Sequence, residues 1–182
     1  KETKKILIIG GSQGASFFDE NITKLIIEIS KKRNFEVIQQ ISNINNLSSI
    51  KNKYEKSNIK YKFIEFTNDS HKLYNGIDLA ITRGGASTLS ELSFLNIPFI
   101  SIPLPSARDN HQFYNSEFYY KKNCCWLINQ KEFEFKKFSK MIFEIFNDYQ
   151  NYNEKFKNLA EITKKNTWNN INNKIIEIID EN

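Results

Sequence analysis

KKILIIGGSQGAS, residues 4–16, is a short β-branched apolar run that stops abruptly at Gly10, Gly11 and Gly14, and its layout points to one class of fold. ITRGGASTLSE, residues 81–91, repeats the layout with Gly84 and Gly85, so two turns hold five of the six glycines in the chain. Glycine admits positive φ and lets a ligand come close to the main chain, and a helix that follows offers unpaired N–H groups and a positive dipole end to an anion. Two such turns, each leaving an apolar run, are the layout of a phosphate-handling α/β protein.

On either side of these turns, apolar runs recur at KKILIIG, FEVIQQI, YKFIEF, IDLAIT, IPFISIP and CCWLI. Each is short and nearly continuous, as expected for parallel strands buried on both faces. Stretches of helical period alternate with them at Asp19–Lys32, Leu47–Lys56, Thr88–Leu95 and Asn110–Lys121. The tail carries three more, Phe133–Phe146, Tyr152–Ile162 and Trp168–Ile179, and no strand pattern. The alternation predicts a doubly wound, Rossmann-like parallel sheet of about six strands with helices on both faces and a helical C-terminal tail. No internal repeat appears, and the Asn- and Lys-rich stretches read as base composition.

The 182 residues, 40% hydrophobic with 15 Phe and 8 Tyr, suffice for one substantial core and predict a single domain over residues 1–182. The first residue is Lys1 and not Met, as in a fragment or processed product. A net charge of +5 comes from 26 basic and 21 acidic residues that are scattered along the chain. They form no aromatic-interleaved stripe, which reads as a solvated surface and not a nucleic-acid-binding one. Cys124 and Cys125 are neighbours in an apolar run, which excludes a disulfide framework and suits a cytosolic setting. His71 and His111 stand apart without ligand-spaced company, so neither metal nor cofactor is expected. No signal peptide or membrane-length apolar segment is legible, which makes any membrane contact peripheral or the property of a missing part.

The first turn does not fit G-x-G-x-x-G, and the second strand ends in Gln39-Gln40 where a dinucleotide fold places an acid for the ribose. No glycine run precedes Lys-Ser or Lys-Thr, so a Walker loop is excluded too. What remains is a tight turn whose Ser12 hydroxyl and backbone amides could hold phosphates. In the second turn Ser87, Thr88 and Ser90 are candidate helix caps, and Glu91 falls one helical turn beyond Ser87 and Thr88. A carboxylate there suits a ribose diol because its two oxygens can accept both hydroxyls, although a first-turn acid also suits the helix dipole alone. Arg83 reads equally as an anion ligand or a surface residue. The prolines Pro98, Pro103 and Pro105 bracket the fifth strand, and the loop after it leads into Asp109-Asn110-His111-Gln112, a polar helix start on the carboxyl edge of the sheet. Ligands of open α/β sheets bind at that edge.

GGSQGA after the first strand, GGAST with SE after the fourth, and Asp109, His111, Gln112 and Asn115 at a helix start together resemble the C-terminal domain of the MurG family. These are bacterial UDP-N-acetylglucosamine transferases that add the second sugar to the lipid-linked peptidoglycan precursor. The resemblance runs from Lys5 to the last helices and implies one half of a two-domain glycosyltransferase fold. It implies that Ser12, Gln13 and Gly14 contact the donor diphosphate, that Phe66 and Thr67 hold uracil, and that Glu91 takes the ribose hydroxyls. Ala86, Ser87 and Thr88 would line the sugar and phosphate pocket, with Arg83 beside them. His111 and Gln112 would bind hydroxyls of N-acetylglucosamine, His111 standing where many members carry Gln. The implied partners are UDP-N-acetylglucosamine and, through an N-terminal domain with no counterpart here, a lipid-linked muramyl-pentapeptide acceptor at the cytoplasmic face of the membrane. No catalytic base is assigned. A stand-alone UDP-sugar-binding subunit and a UDP-sugar hydrolase or epimerase are the alternatives.

Overall fold

The computed structural model describes residues 3–10, 16–41, 43–64 and 73–165. Six strands form one parallel sheet: β1 (Lys4–Ile9), β2 (Phe35–Gln40), β3 (Lys60–Ile64), β4 (Leu79–Thr82), β5 (Phe99–Ser101) and β6 (Cys125–Leu127), in the order β3-β2-β1-β4-β5-β6. Ile6 lies between Val37 of β2 and Leu79 of β4. The chain winds outward from β1 to β3, then returns to the other side of β1, so strand order reverses between β1 and β4. The carboxyl ends of these two strands therefore lie side by side at the switch point, where Arg83 N donates to Ile9 O at 3.3 Å.

Strand alternation divides the core in two. Ile6, Ile8, Val37, Ile81 and Ile100 point to a face covered by α1 (Thr23–Ser30), α2 (Ile44–Lys56) and α5 (Phe135–Asn147). Leu7, Ile38, Ala80, Phe99 and Cys125 point to the other, covered by Leu89 and Leu92 of α3 (Ala86–Phe94) and Leu159 of α6 (Tyr149–Lys165). α4 (His111–Lys121) lies against β6 and α3. All six predicted strands are present, which bears out the α/β reading. The predicted helix over Asp19–Lys32 opens as a π-helical turn, Phe18–Ile22, before α1. α2 starts at Ile44, three residues before the periodicity shows, because the Asn43 side chain caps it by accepting from Asn45 N at 3.0 Å. The expected helix over Trp168–Ile179 lies outside the described residues.

α6 connects the two faces. Along the amino edge of the sheet Tyr152 Oη donates to Asp78 O (2.5 Å), and Lys155 Nζ donates to Asn123 Oδ1 (2.7 Å) from above the Trp126 ring. Farther on, Thr163 Oγ1 donates to Ser93 O at the end of α3 (3.0 Å). At that edge three helices stop in the same way. Asn58, Asn96 and Asn123 each adopt φ near +54°, and the next amide (Ile59, Ile97, Cys124) bonds back to Tyr54 O, Leu92 O or Tyr119 O. These are Schellman stops with asparagine in the left-handed position usually filled by glycine.

Candidate functional site

Gly84 is glycine for want of space. A Cβ on it would stand 2.1 Å from Gln112 O and 2.6 Å from Ser116 Oγ. Among the described residues the only positive-φ glycine is Gly76, so the second turn needs its glycine for close approach and not for handedness. The contact is locked from both sides. Asn115 Nδ2 donates to Gly84 O (3.0 Å), and Ser116 Oγ donates to Gln112 O (2.8 Å) while lying 2.7 Å from Ser101 Oγ. The N-termini of α3 and α4 are thereby pressed together at the carboxyl edge. Gly85 is the opposite case, since a Cβ there would meet nothing within 4 Å. It is the N-cap of α3 and no side chain caps that helix. Ser87 and Thr88, expected as caps, sit inside the first turn, so the amides of Ala86, Ser87 and Thr88 have no intrahelical acceptor.

Glu91 is partly exposed one turn into α3, and Tyr74 Oη donates to its Oε2 at 2.5 Å. Tyr74 itself is 8% exposed, within the core under α3, and burial holds its hydroxyl protonated well above the usual tyrosine range. Arg83, 4% exposed, is no surface residue. Its Nη1 donates to Ile102 O (3.0 Å) and Gln130 Oε1 (2.6 Å), and its guanidinium lies over the Phe18 ring at 4.6 Å. Burial lowers its pKa to about 10. It ties the end of β4 to β5 and to the turn after β6.

The loop before α4 divides the polar cluster into holders and exposed groups. Asp109 and Asn110 both take φ +52°, a conformation that costs most residues about 1–2 kcal/mol and is tolerated best by Asn and Asp. Gln112 Oε1 accepts from Leu104 N (3.0 Å), pinning the β5 loop. His111 is exposed, with Nδ1 2.7 Å from Arg108 O, so Nδ1–H donates there. A 280 Å³ hollow lined by Leu104, Pro105, Asn110 and Phe113 adjoins this helix start. A much larger concavity, 1190 Å³, runs along α5 past Trp126 and Phe143 and meets none of the motif residues, so chemistry and not size selects the carboxyl edge. Ser12, Gln13, Gly14, Phe66 and Thr67 lie outside the described residues. Gln39, at the end of β2, is fully buried, accepts from Tyr54 Oη and bonds Thr23. That position belongs to the core.

Residues 5–171 match the model of the glycosyltransferase family 28 C-terminal domain. The chain belongs to this family. Over 181 residues it is 45% identical to the UDP-N-acetylglucosamine--N-acetylmuramyl-(pentapeptide) pyrophosphoryl-undecaprenol N-acetylglucosamine transferase of Pelagibacter ubique (strain HTCC1062), covering 100% of this chain and 51% of that protein. The protein of the same name from Rickettsia bellii (strain RML369-C) is 38% identical, with 90% of this chain and 46% of the relative covered. The chain thus spans about half the length of these curated relatives. Acinetobacter baumannii MurG has the same fold, with TM-score 0.71 and 22% identity over 90% of this chain and 46% of that one. So has UDP-GlcNAc 2-epimerase from Neisseria meningitidis, solved with UDP-GlcNAc, at TM-score 0.66 and 16% identity over 100% of this chain and 45% of that one.

In this family 28 domain the structure brings Arg83, Ala86, Ser87, Thr88, Glu91, His111 and Gln112 to one edge. Sequence reasoning missed Tyr74 and the bracing role of Asn115. Tyr74 follows no motif and meets Glu91 only through tertiary folding. Asn115 was legible as part of a resemblance, but its bond to Gly84 O joins two helix starts that are far apart in the chain.

Proposed function

We propose that the chain is the donor-binding half of an inverting glycosyltransferase that takes N-acetylglucosamine from UDP-N-acetylglucosamine and delivers it to a lipid-linked muramyl-pentapeptide. The observation that carries this reading is similarity along this whole chain, 45% identical, to about half of a relative bearing the name of that activity. The geometry supports it. In the proposed complex the amides of Ala86, Ser87 and Thr88 and the Ser12, Gln13 and Gly14 turn face the diphosphate, where negative charge grows as the sugar leaves. Glu91 accepts the ribose hydroxyls and Phe66 and Thr67 hold the uracil. Gln112 and His111 face the sugar from α4, and Arg83 braces the floor beneath the phosphates. The acceptor is held by a second domain, and the enzyme meets the cytoplasmic face of the membrane peripherally. Among the described residues no helix is long and apolar enough to cross a membrane.

Calorimetry tests the donor assignment. UDP binds in preference to ADP and GDP, and equal affinity for the three removes the uracil site. Glu91→Ala weakens UDP binding roughly 10- to 100-fold, the size of a charge-assisted hydrogen bond of about 1.5–3 kcal/mol. Sugar transfer to lipid-linked acceptor stays at background for this chain alone and appears when an N-terminal acceptor domain is supplied, because the positional contribution to rate needs both substrates held. Robust turnover by the chain alone contradicts the two-domain reading.

A further inference from the structure

We infer that Tyr74 is a positioning residue for the nucleoside: its hydroxyl presets the Glu91 carboxylate for a ribose diol and so sets the preference for ribose over deoxygenated sugars. This rests on the reading of Glu91 as the ribose ligand. A glutamate one turn into a helix has three freely rotating side-chain bonds, and ordering such a side chain on binding costs affinity. Here one end of the carboxylate is already held. Tyr74 Oη donates to Oε2 at 2.5 Å, a short charge-assisted bond from a side chain that is itself 8% exposed and packed in the core with Leu89 and Leu92 of the same helix. The donor is therefore fixed by packing, not by the loop it sits on.

The arrangement also divides the acceptor capacity of Glu91. An ionised carboxylate offers about four lone-pair sites on two oxygens. Tyr74 takes one on Oε2, leaving Oε1 and the remaining Oε2 site, which matches two vicinal hydroxyl donors. Among the described residues the Tyr74 hydroxyl is the one hydrogen-bond donor to the Glu91 carboxylate. Toward a carboxylate a tyrosine hydroxyl acts as donor, so this bond turns Glu91 one way and leaves its other acceptor sites for the substrate's hydroxyls.

The test is Tyr74→Phe, which keeps the ring in the core and deletes only the donor. On this 182-residue chain the Kd for UDP rises about 3- to 10-fold, as expected for one net hydrogen bond used in preorganisation. The Kd for 2′,3′-dideoxy-UDP, which has no diol to offer, does not change. In a Glu91→Ala background the same substitution has no further effect on UDP. A purely structural role for Tyr74 predicts that UDP and its dideoxy analogue weaken alike, with the same loss when Glu91 is absent, and either result overturns the inference. The underlying assignment is checked separately. If Glu91→Ala leaves the ratio of UDP to dideoxy-UDP affinity unchanged, the ribose site itself falls. If that ratio collapses in Glu91→Ala but stands in Tyr74→Phe, only the role of Tyr74 is lost.

Discussion

The two edges of the sheet face one problem, reversing the chain between helix and strand, and meet it with different residues. At the amino edge Asn58, Asn96 and Asn123 provide the left-handed conformation that ends α2, α3 and α4. At the carboxyl edge Gly84 has an ordinary φ and is confined by neighbours that a Cβ would strike. Gly84 marks crowding, and the three asparagines mark handedness. Gly76, with φ +70° just before β4, is the one described glycine used in the asparagine manner. At Gly84 the absent side chain marks the place where two backbones nearly touch.

Gly84 offers the severest test of crowding. Its Cβ would lie 2.1 Å from a backbone oxygen, which cannot swing aside like a flexible side chain. Gly84→Ala is expected to lower unfolding free energy by about 3 kcal/mol, at the upper end for overpacking. Gly85→Ala, with open space around its Cβ, stays within about 1 kcal/mol of the parent but weakens UDP binding, because the added methyl faces the donor. Urea unfolding of the two variants decides the matter, and similar losses in both would show that crowding does not set Gly84 apart.

Alkaline pH probes the amino edge. Cys124, which seals the stop of α4, and Cys125 behind it have thiols that burial pushes up to about 11 and about 12. A raised folded-state pKa means stability that is complete below the ordinary thiol value and is lost as pH climbs toward the folded one. Tyr152, raised by burial to about 12, adds the same sign above pH 10. Lys155, lowered by burial, opposes it. The urea midpoint therefore falls between pH 9 and 10.5, since each proton that the unfolded thiols lose and the folded ones keep is worth about 1.4 kcal/mol per pH unit. The fall is smaller in a Cys124→Ala, Cys125→Ala variant. A flat profile, or one unchanged by that variant, contradicts the assignment to the thiols.

A subtler pair of variants isolates handedness at the asparagine stops. Asn96→Ala forces a Cβ-bearing residue without a polar side chain into φ +55° and costs about 1 kcal/mol. Asn96→Gly relieves the conformation and removes a buried Oδ1 that has no hydrogen-bond partner, so it is neutral or stabilising by a few tenths of a kcal/mol. Thermal unfolding of the pair distinguishes handedness from side-chain bonding as the reason asparagine is there. If both cost the same, the side chain and not the backbone is what matters.

Sequence patterns made the sheet readable because strands buried on both faces, such as Ile6–Ile9 and Leu79–Thr82, leave a continuous apolar trace. Helix periods located α1 to α6 to within a few residues, because most of these helices bury one apolar face, although α4 buries only Ser116. Pro98 and Pro103 bounded β5 correctly because proline cannot join the ladder. The side-chain partnerships of the site were not legible. Arg83 is polar by type yet buried, since its partners are the carbonyl of Ile102 and the side-chain amide of Gln130, which sequence order does not place near it. The Tyr74 bond to Glu91 spans a loop and a strand. Whether Gln112 faces a sugar or a backbone amide depends on a turn with two left-handed residues that no local propensity announces. The course of α6 beneath the sheet was invisible too, because its anchors, Asp78, Asn123 and Ser93, belong to three different segments.

The central place of β1 has a consequence for how the chain is made. β1 and β2 can pair as soon as both have left the ribosome, but the other side of β1 belongs to β4. The 42 residues from Ile41 to Thr82 must be translated first, which at about 5–20 residues per second takes roughly 2–8 s. Throughout that interval Ile6, Leu7 and Ile8 present an open strand edge, the kind of surface on which nascent chains aggregate. Lys4 and Lys5 stand directly before those residues, charged neighbours of the sort that keep a waiting edge from recruiting the wrong strand.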